Sequence, residues 1–447
     1  MEKEKSFKVE LKEIAIPVTL QCLLQSSFQV IDQIMTGQLG SVSIAGIGLA
    51  GKFASIYSVL VSAVAAAAGI MIAQYTGKKD DRKAGKSFYL NLVLALILAT
   101  AFTVLGAVFS EQIMRLYTKD TSVIQIASVY LRIVSGTFLP IAVTTLLSTF
   151  LRCREKASVP LYVSILAAVL NTGFNWLLIF GKLGFPALGA KGAALATFIS
   201  QMGGCLLMLV LFLCLRKKQN WYLPFSLRQK KADWLQFAGI FAPILACEFF
   251  WSLGENVYAS IYGHIGTAEC AAMTLTAPIQ TLFIGALSGV SQAAGIMIGK
   301  RLGAGEEKKA YRDSKKLMLC GFVGSLVLSV CLALFGRFYV RIFQVEDSVR
   351  ATAYGLLLVF AVVAPVKVQN MILGGGIIRS GGRTKYVMFI DLIGTWIFGV
   401  PLGFLSAYVL GLPIEAVYFI LSMEECVRLV LSFVVFRRRK WMQSPLE

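Results

Sequence analysis

The chain has 447 residues, of which 57% are hydrophobic and 15% are charged. An ordinary soluble domain carries about 25% charged residues, so this composition excludes a soluble globular protein and indicates that most of the chain lies in a membrane. The formal net charge is +19, which in a soluble protein would suggest a nucleic-acid partner. In a membrane protein the same charges set the topology, and we expect no nucleic-acid partner.

Twelve apolar segments follow one another along the chain, each long enough for a membrane-spanning helix of about 20 residues. Such continuous runs exclude a transmembrane β-barrel, whose strands alternate with period two and are about 10 residues long. The predicted spans are 14–38, 44–77, 86–110, 123–150, 159–181, 192–215, 235–262, 271–299, 317–336, 351–376, 386–408 and 414–436. The prediction is an all-α integral membrane protein with twelve transmembrane helices.

Basic residues between the spans alternate between dense and sparse segments. With the amino terminus in the cytoplasm, the inner segments hold 32 Lys and Arg residues and the outer loops hold 7. This bias follows the positive-inside rule and predicts that both termini are cytoplasmic. The first segment has no small-residue cleavage site, so we interpret it as a retained helix rather than a signal peptide. The basic segments also predict contact with anionic membrane lipids.

The chain repeats itself at a constant offset of 226 residues. The segments AAGIMIAQYTGKKDDRKA (67–84) and AAGIMIGKRLGAGEEKKA (293–310) are identical at nine of 18 positions, and Pro17 corresponds to Pro243. Six spans in each copy make the repeats parallel, an arrangement typical of secondary transporters. We predict an amino-terminal lobe of residues 1–215, a cytoplasmic linker of residues 216–234 and a carboxy-terminal lobe of residues 235–447.

The sequence lacks the motifs of an ATP-driven pump or a metalloenzyme. The segment from Gly46 to Lys52 approaches a phosphate-binding loop, but Phe53 follows where Ser or Thr should bind magnesium. The chain has one His, and its nine Cys residues form no metal-binding spacing. We therefore predict no enzyme activity, no cofactor and no metal site, with transport driven by a gradient. Each charge moved across about 100 mV contributes about 2.3 kcal/mol.

Three polar residues in predicted spans of the first copy are candidates for a functional site. An ionisable group inside a membrane is a functional hypothesis by default, because burying it unpaired is costly. Asp32 lies in span 1, about 8 Å from its outer end, and predicts a cation or proton site; the alternative is a carboxylate at the outer interface. Asn171 and Asn175 share one face of span 5, either at a site or in interhelical hydrogen bonds.

The second copy carries its ionisable residues at different positions. Glu248 and Glu255 are seven apart in span 7, so they share a helix face and predict a coupling or cationic-substrate site. Under the repeat offset, Asp32 corresponds to Tyr258. The two copies therefore share a scaffold but differ in their charged positions.

Other charged residues of the second copy have simpler interpretations. Asp391 lies near the predicted start of span 11, where a helix N-terminus favours a carboxylate. Glu424 and Arg428 are four apart in span 12 and are expected to pair. Lys367 closely follows Pro365 in span 10, where a kink is expected, and a buried Lys would pair with a carboxylate of the same lobe.

Six segments carry a family resemblance: VIDQIMTGQLG (30–40), AGIGLAG (45–51), AQYTGKKDDRKAGK (73–86), NTGFNWLLIFGKLGFPALGAKGAALATFISQ (171–201), CEFFWSLGENVYASIYGHIGTAECAAM (247–273) and GGGIIRSGGRTKY (374–386). They resemble segments of the multidrug and toxin extrusion (MATE) family of transporters, and the resemblance covers essentially the whole chain in order. The resemblance implies twelve helices in two parallel six-helix lobes around a central cavity. It also implies antiport, in which H⁺ or Na⁺ enters while organic, often cationic, compounds leave.

The resemblance further implies a cation site in the amino lobe. In one branch of the family a first-helix aspartate acts with polar groups on helices 5 and 6, which by motif position are Asp32, Asn171, Asn175 and Thr197. Asn175 stands where that branch often has an aspartate, and Gln29 stands where it commonly has an asparagine. A single formal negative charge disfavours a tight Na⁺ site and favours protonation of Asp32.

In another branch, coupling depends on a helix 7 glutamate, a role open to Glu248 or Glu255. The candidate coupling residues are therefore Asp32, Asn171, Asn175, Thr197, Glu248 and Glu255. The candidate substrate-binding residues are Gln29, Asp32, Glu248, Glu255, Lys367 and Asp391.

The predicted function is a secondary antiporter that exports small organic cations, of multidrug type, in exchange for H⁺ or Na⁺. We expect a monomer that passes many times through the bacterial plasma (inner) membrane. The first alternative is a flippase for lipid-linked oligosaccharide or lipid, since flippases of the same superfamily share this fold. The second is a membrane scaffold without transport activity, which would need a soluble interaction domain that the sequence does not show.

Overall fold

A computed structural model describes residues 7–221, 231–341 and 346–442, and within these ranges the chain forms helices and no strand. The helices are α1 (Phe7–Gly37), α2 (Ser41–Gly77), α3 (Asp81–Val108), α4 (Ser110–Tyr117), α5 (Thr121–Ser135), α6 (Phe138–Cys153), α7 (Ser158–Phe180), α8 (Ala190–Lys218), α9 (Lys231–Ile265), α10 (Thr267–Gly303), α11 (Glu307–Arg341), α12 (Asp347–Asn370), α13 (Thr384–Leu392), α14 (Val400–Phe404), α15 (Ile414–Ser422) and α16 (Glu424–Arg437). The predicted all-α membrane fold is confirmed, and each of the twelve predicted spans coincides with helix.

Within the described residues, ten helical segments are long and apolar enough to cross a membrane. An eleventh span is the pair α5 and α6, which are bent by 45° relative to each other. The break falls at Gly136 and Thr137, and Pro140 lies in the first turn of α6, where its missing N–H leaves no gap in the helix. The twelfth predicted span is occupied by α15 and α16, which are separated by Met423.

Three π-helical stretches interrupt the tenth and eleventh spans. They are Met371–Ile378, Ile393–Gly399 and Leu405–Val409. The wider turn of a π-helix is rare and is found frequently at functional sites. The first stretch contains Gly374, Gly375 and Gly376, and a Cβ at Gly376 would lie 2.6 Å from the carbonyl oxygen of Ser291. Glycine therefore allows this stretch to lie directly against α10.

The chain forms two compact units. The first contains the described residues of Met1–Thr19, Gly77–Lys79 and Ala232–Glu447, and the second contains Leu20–Thr76 and the described residues of Asp80–Lys231. We call the first the carboxy unit and the second the amino unit. The boundary within α1 falls between Thr19 and Leu20, so the start of this helix packs with the second copy of the repeat. Much of the predicted linker, at residues 222–230, lies outside the described residues.

A buried ion triad holds the start of α1 inside the carboxy unit. Arg301 of α10 contacts Glu10 of α1 with its Nη2 atom at 2.9 Å and Asp313 of α11 with its Nε atom at 2.7 Å. All three side chains are buried. Because isolated buried charges are costly, the triad fixes the relative positions of the three helices.

Candidate functional site

Four of the residues predicted to form a cation site meet in the amino unit. Asn175 of α7 donates from Nδ2 to Asp32 Oδ1 of α1 at 2.6 Å and lies 3.2 Å from Asn171 Oδ1. Asn171 donates in turn to the hydroxyl of Thr197 on α8 at 3.4 Å. We call these four residues the amino cluster. They form one continuous chain of hydrogen bonds across three helices.

The helical spacing of the sequence explains how the amino cluster forms. Asn171 and Asn175 lie one turn apart on α7 and present both amides to the same side. The Thr197 hydroxyl donates to the Ala193 carbonyl one turn earlier on α8, which leaves its oxygen available as an acceptor. Asn175 is fully buried and Asp32 is half-buried. The amino cluster is thus a chain of carboxylate, amide and hydroxyl groups, and its one ionisable member, Asp32, can accept a proton or bind a small cation.

Tyr130 of α5 is a neighbour of the amino cluster that the sequence did not indicate. Its hydroxyl lies within hydrogen-bonding reach of the Thr197 side chain, and it interacts electrostatically with Asp32. A tyrosine inside a span is usually a packing or interface residue, and no spacing rule links it to Asp32. Gln29, three residues before Asp32 on the same helix, is exposed on α1.

Glu248 is paired with an arginine in the carboxy unit. Its Oε1 lies 3.5 Å from Nη1 of Arg379, which follows the first π-helical stretch. The neighbouring Cys247 donates its thiol to Asp391 at 2.8 Å, and Arg379 also reaches this sulfur at 3.7 Å. The negative charge of Glu248 is therefore compensated within its own unit. Glu255, two turns further along α9, is exposed.

A larger ionic cluster surrounds Arg428 of α16. The predicted pair with Glu424 is confirmed at 3.2 Å, and Glu425 and Asp391 each lie 3.9 Å from the guanidinium. The guanidinium also bonds the Thr395 hydroxyl. We call Arg428, Glu424, Glu425, Asp391 and Tyr258 the carboxy cluster. Tyr258 of α9 completes it by donating its hydroxyl to Glu424.

Two predictions for this unit have different outcomes. Lys367 of α12 interacts electrostatically with Glu425, a carboxylate of the same unit, as expected. The placement of Asp391 at a helix N-terminus is wrong, because α13 begins at Thr384 and Asp391 lies two turns inside it. Asp391 is held there by Arg428 and the Cys247 thiol rather than by the backbone of a helix end.

Two glycines of the second π-helical stretch make room for the carboxy cluster. A Cβ at Gly399 would collide with the Glu424 carboxylate and the Tyr258 hydroxyl, and a Cβ at Gly394 would collide with the Arg428 side chain. The stretch therefore lies directly against the charged groups. Sequence reasoning missed this arrangement, because a helical periodicity of 3.6 residues does not register a π-helical turn.

The whole chain is similar in sequence to known transporters. The MatE family model matches residues 17–177 and 243–405, two segments that begin 226 residues apart, at the offset of the internal repeat. An uncharacterized transporter of Bacillus subtilis, YisQ, is 22% identical over 96% of this chain and 94% of its own length. A probable multidrug resistance protein NorM of Mesorhizobium japonicum is 26% identical over 97% of this chain and 94% of its own length.

Solved structures show the same fold. A MATE protein crystallised in complex with MaL6 has a TM-score of 0.89 at 19% identity, covering 97% of this chain and 96% of that protein. A MOP superfamily transporter from Pyrococcus furiosus, described as having a binding pocket of reverse polarity, has a TM-score of 0.86 with the same identity and coverage. A mutant of the Vibrio cholerae MATE transporter VcmN also has a TM-score of 0.86, at 17% identity over 97% of this chain and 96% of that protein.

Proposed function

Because the chain belongs to the MATE family of efflux transporters, we propose that it is a secondary antiporter that exports organic cations in exchange for H⁺ or Na⁺. The observation that carries this proposal is the bond between Asp32 and Asn175. It gives the amino unit an intramembrane carboxylate that is held by a neutral amide and not by a basic side chain. Such a carboxylate can exchange its counter-ion without breaking an ion pair.

The amino cluster supports a simple coupling step. When Asp32 is ionised, both its oxygens can accept hydrogen bonds, and the Asn175 amide donates to one of them. Binding of a proton or cation removes the formal negative charge and weakens this bond. A ligand shifts a conformational equilibrium by as much as its affinities for the two states differ. Neutralisation of Asp32 therefore favours the conformation that releases the drug, and loss of the ion restores the binding state.

The acidic side chains that remain accessible support a cationic substrate. Asp32 is half-buried and Glu255 is exposed, whereas Glu248 is paired with Arg379. Organic cations are attracted to such carboxylates. The NorM relatives are named as probable multidrug resistance proteins, which agrees with export of several compounds rather than one. A flippase for lipid-linked oligosaccharide would carry an anionic cargo, which these carboxylates would repel.

We further propose that the protein is a monomer in the bacterial plasma membrane with both termini in the cytoplasm. The excess of Lys and Arg in the inner segments, 32 against 7, supports this orientation. Relatives of similar length occur in bacteria such as Bacillus subtilis and Mesorhizobium japonicum.

Ethidium efflux from proteoliposomes, with H⁺ and Na⁺ gradients imposed separately, tests the proposed antiport. We expect gradient-driven efflux by the wild type and a loss of at least about tenfold in Asp32→Asn, because the variant has no carboxylate to take up and release the ion. The matched control is Glu111→Gln, a carboxylate in an exposed pair with Arg115 on α4, which should leave efflux unchanged. Absence of gradient-driven efflux of ethidium and other organic cations would refute the function. Full activity of Asp32→Asn would refute the role of Asp32.

A further inference from the structure

The ionised groups around Arg379, Lys367 and Arg428 do not balance. Four carboxylates that are buried or half-buried, those of Glu248, Asp391, Glu424 and Glu425, face these three cations, and the exposed Glu255 also acts on Lys367. With every group ionised, this interior carries at least one negative charge in excess. An uncompensated charge in a low-dielectric interior is costly, and the usual relief is to neutralise it by taking up a proton.

The contacts within the unit identify the least compensated carboxylate. Glu248 has Arg379, and the Glu425 carboxylate has Lys367 together with one hydrogen bond from the Asn370 amide. Among the described residues, Asp391 and Glu424 have only Arg428 as an ion-pair partner, and Glu425 also lies 3.9 Å from this arginine.

Asp391 and Glu424 differ in the exposed fraction of their side chains. The side chain of Asp391 is 26% exposed and that of Glu424 is 7% exposed. Asp391 is therefore partly solvated, whereas Glu424 is enclosed and accepts its hydrogen bond from the neutral hydroxyl of Tyr258.

The internal repeat gives a second, independent reason to single out this pair. Tyr258 occupies the position that Asp32 occupies in the first copy. In the amino unit, Asp32 bonds the polar side chain of Asn175 on α7. In the carboxy unit, Tyr258 bonds the polar side chain of Glu424 on α16. In both units, the residue at this position of the first span shares a hydrogen bond between a carboxyl group and a neutral side chain. The acid is on α1 in one copy and on the last helix in the other, where it also pairs with Arg428.

The surroundings of Glu424 are tight enough to hold this arrangement. Gly399 leaves space for the Glu424 carboxylate and the Tyr258 hydroxyl together, and Gly394 leaves space for the Arg428 side chain. The titratable and charged groups that face Glu424 are Tyr258 and Tyr262 of α9, Lys367 of α12, Asp391 of α13, and Glu425 and Arg428 of α16.

We infer that Glu424 is a second proton-binding site, held by Tyr258 and located in the unit that does not contain Asp32. Uptake of one proton converts its carboxylate to a carboxyl group and removes one negative charge from this interior. Arg428 then loses its nearest anion and can move towards Asp391 and Glu425, each 3.9 Å away. The binding of this proton is a property of the cluster itself, whereas its contribution to export rests on the proposed antiport.

Infrared difference spectroscopy of the purified protein during a pH titration tests the site directly. A protonated carboxyl group has a carbonyl stretch that a carboxylate lacks. We expect the wild type to gain such absorption as the pH falls, and Glu424→Gln to lose one component band of it. Asp32→Asn, which removes the band of its own carboxyl group, and Glu415→Gln, at the start of α15, should both retain the band that Glu424→Gln loses. The measurement does not depend on transport, so its outcome is separate from that of the efflux assay.

Two results would overturn the inference. A folded Glu424→Gln protein that keeps the full band would show that Glu424 is not the group that titrates. Loss of the band in Asp391→Asn instead would place the proton on Asp391. If Glu424→Gln does not fold, Tyr258→Phe serves in its place: removal of the hydroxyl donor should shift the carbonyl band to higher frequency, and an unshifted band would count against the site.

Discussion

The side chain that binds Asp32 is the amide of Asn175. A carboxylate at that position would create a site with two negative charges. Asn175 is fully buried, and its Nδ2 atom donates to Asp32 at 2.6 Å. Its Oδ1 atom is buried without a hydrogen-bond partner in the described part of the chain. One formal negative charge, partly offset by an N–H donor, suits a proton better than a sodium ion, which needs several oxygen ligands and no donor in its shell.

Replacing this amide tests how the ion preference is set. We predict that Asn175→Asp binds Na⁺ more tightly than the wild type, because it removes the N–H donor and adds a second carboxylate. Na⁺ should then raise the unfolding temperature of the variant, by an amount equivalent to about 1.4 kcal/mol at about ten times its Kd. Asn256→Asp, at an exposed amide on α9, is the control. An equal response to Na⁺ in all three proteins would contradict this account.

The space around each helix determines where the fold requires a glycine. The π-helical stretch Ile393–Gly399 lies against the carboxy cluster, where a Cβ at Gly399 would collide with Glu424 and Tyr258. Gly239 on α9 is helical and has no atom within 4 Å of the position of an added Cβ. Both glycines lie in the carboxy unit, but a side chain has no room at Gly399 and open space at Gly239.

Replacing the two glycines by alanine should therefore change the free energy of unfolding in opposite directions. Gly399→Ala should lower the free energy of unfolding by about 1–3 kcal/mol, as overpacking does, and should displace Glu424. Gly239→Ala should raise it by about 0.4–1 kcal/mol, because alanine reduces the freedom of the unfolded chain. Thermal unfolding in detergent measures both variants. Equal midpoints would show that the second π-helical stretch does not pack as described.

At the scale of the whole molecule, the membrane spans could be predicted from the sequence, but the packing of helices against one another could not. Hydropathy located all twelve helical segments, because the bilayer imposes a length of about 20 apolar residues on each. The amino cluster followed from the family motifs that fix Asp32, Asn175 and Thr197. The carboxy cluster did not follow, because spacing reveals the pair Glu424 and Arg428 within one helix but not which other helices bring Tyr258 and Asp391 to them.

The ion triad of Glu10, Arg301 and Asp313 predicts where the carboxy unit is most sensitive to a single change of charge. Asp313→Asn should lower the free energy of unfolding by about 3–5 kcal/mol, because it leaves Arg301 buried with one carboxylate instead of two. Asp347 makes an ion pair of the same 2.7 Å length with Arg350, but its side chain is 94% exposed. Asp347→Asn should therefore cost less than about 1 kcal/mol. Similar losses in the two variants, measured by thermal unfolding, would argue against a structural role for the triad.

The boundary inside α1 has a consequence for how the two copies depend on each other. The repeat suggests two halves that began as equivalent proteins, yet the start of α1 packs in the unit built from the second half. The transfer runs in one direction, because the corresponding start of α9 stays in the same carboxy unit. A chain cut between the copies would leave Glu10 on one fragment and its partner Arg301 on the other. The second half alone would therefore keep Arg301 beside Asp313 but would lack Glu10.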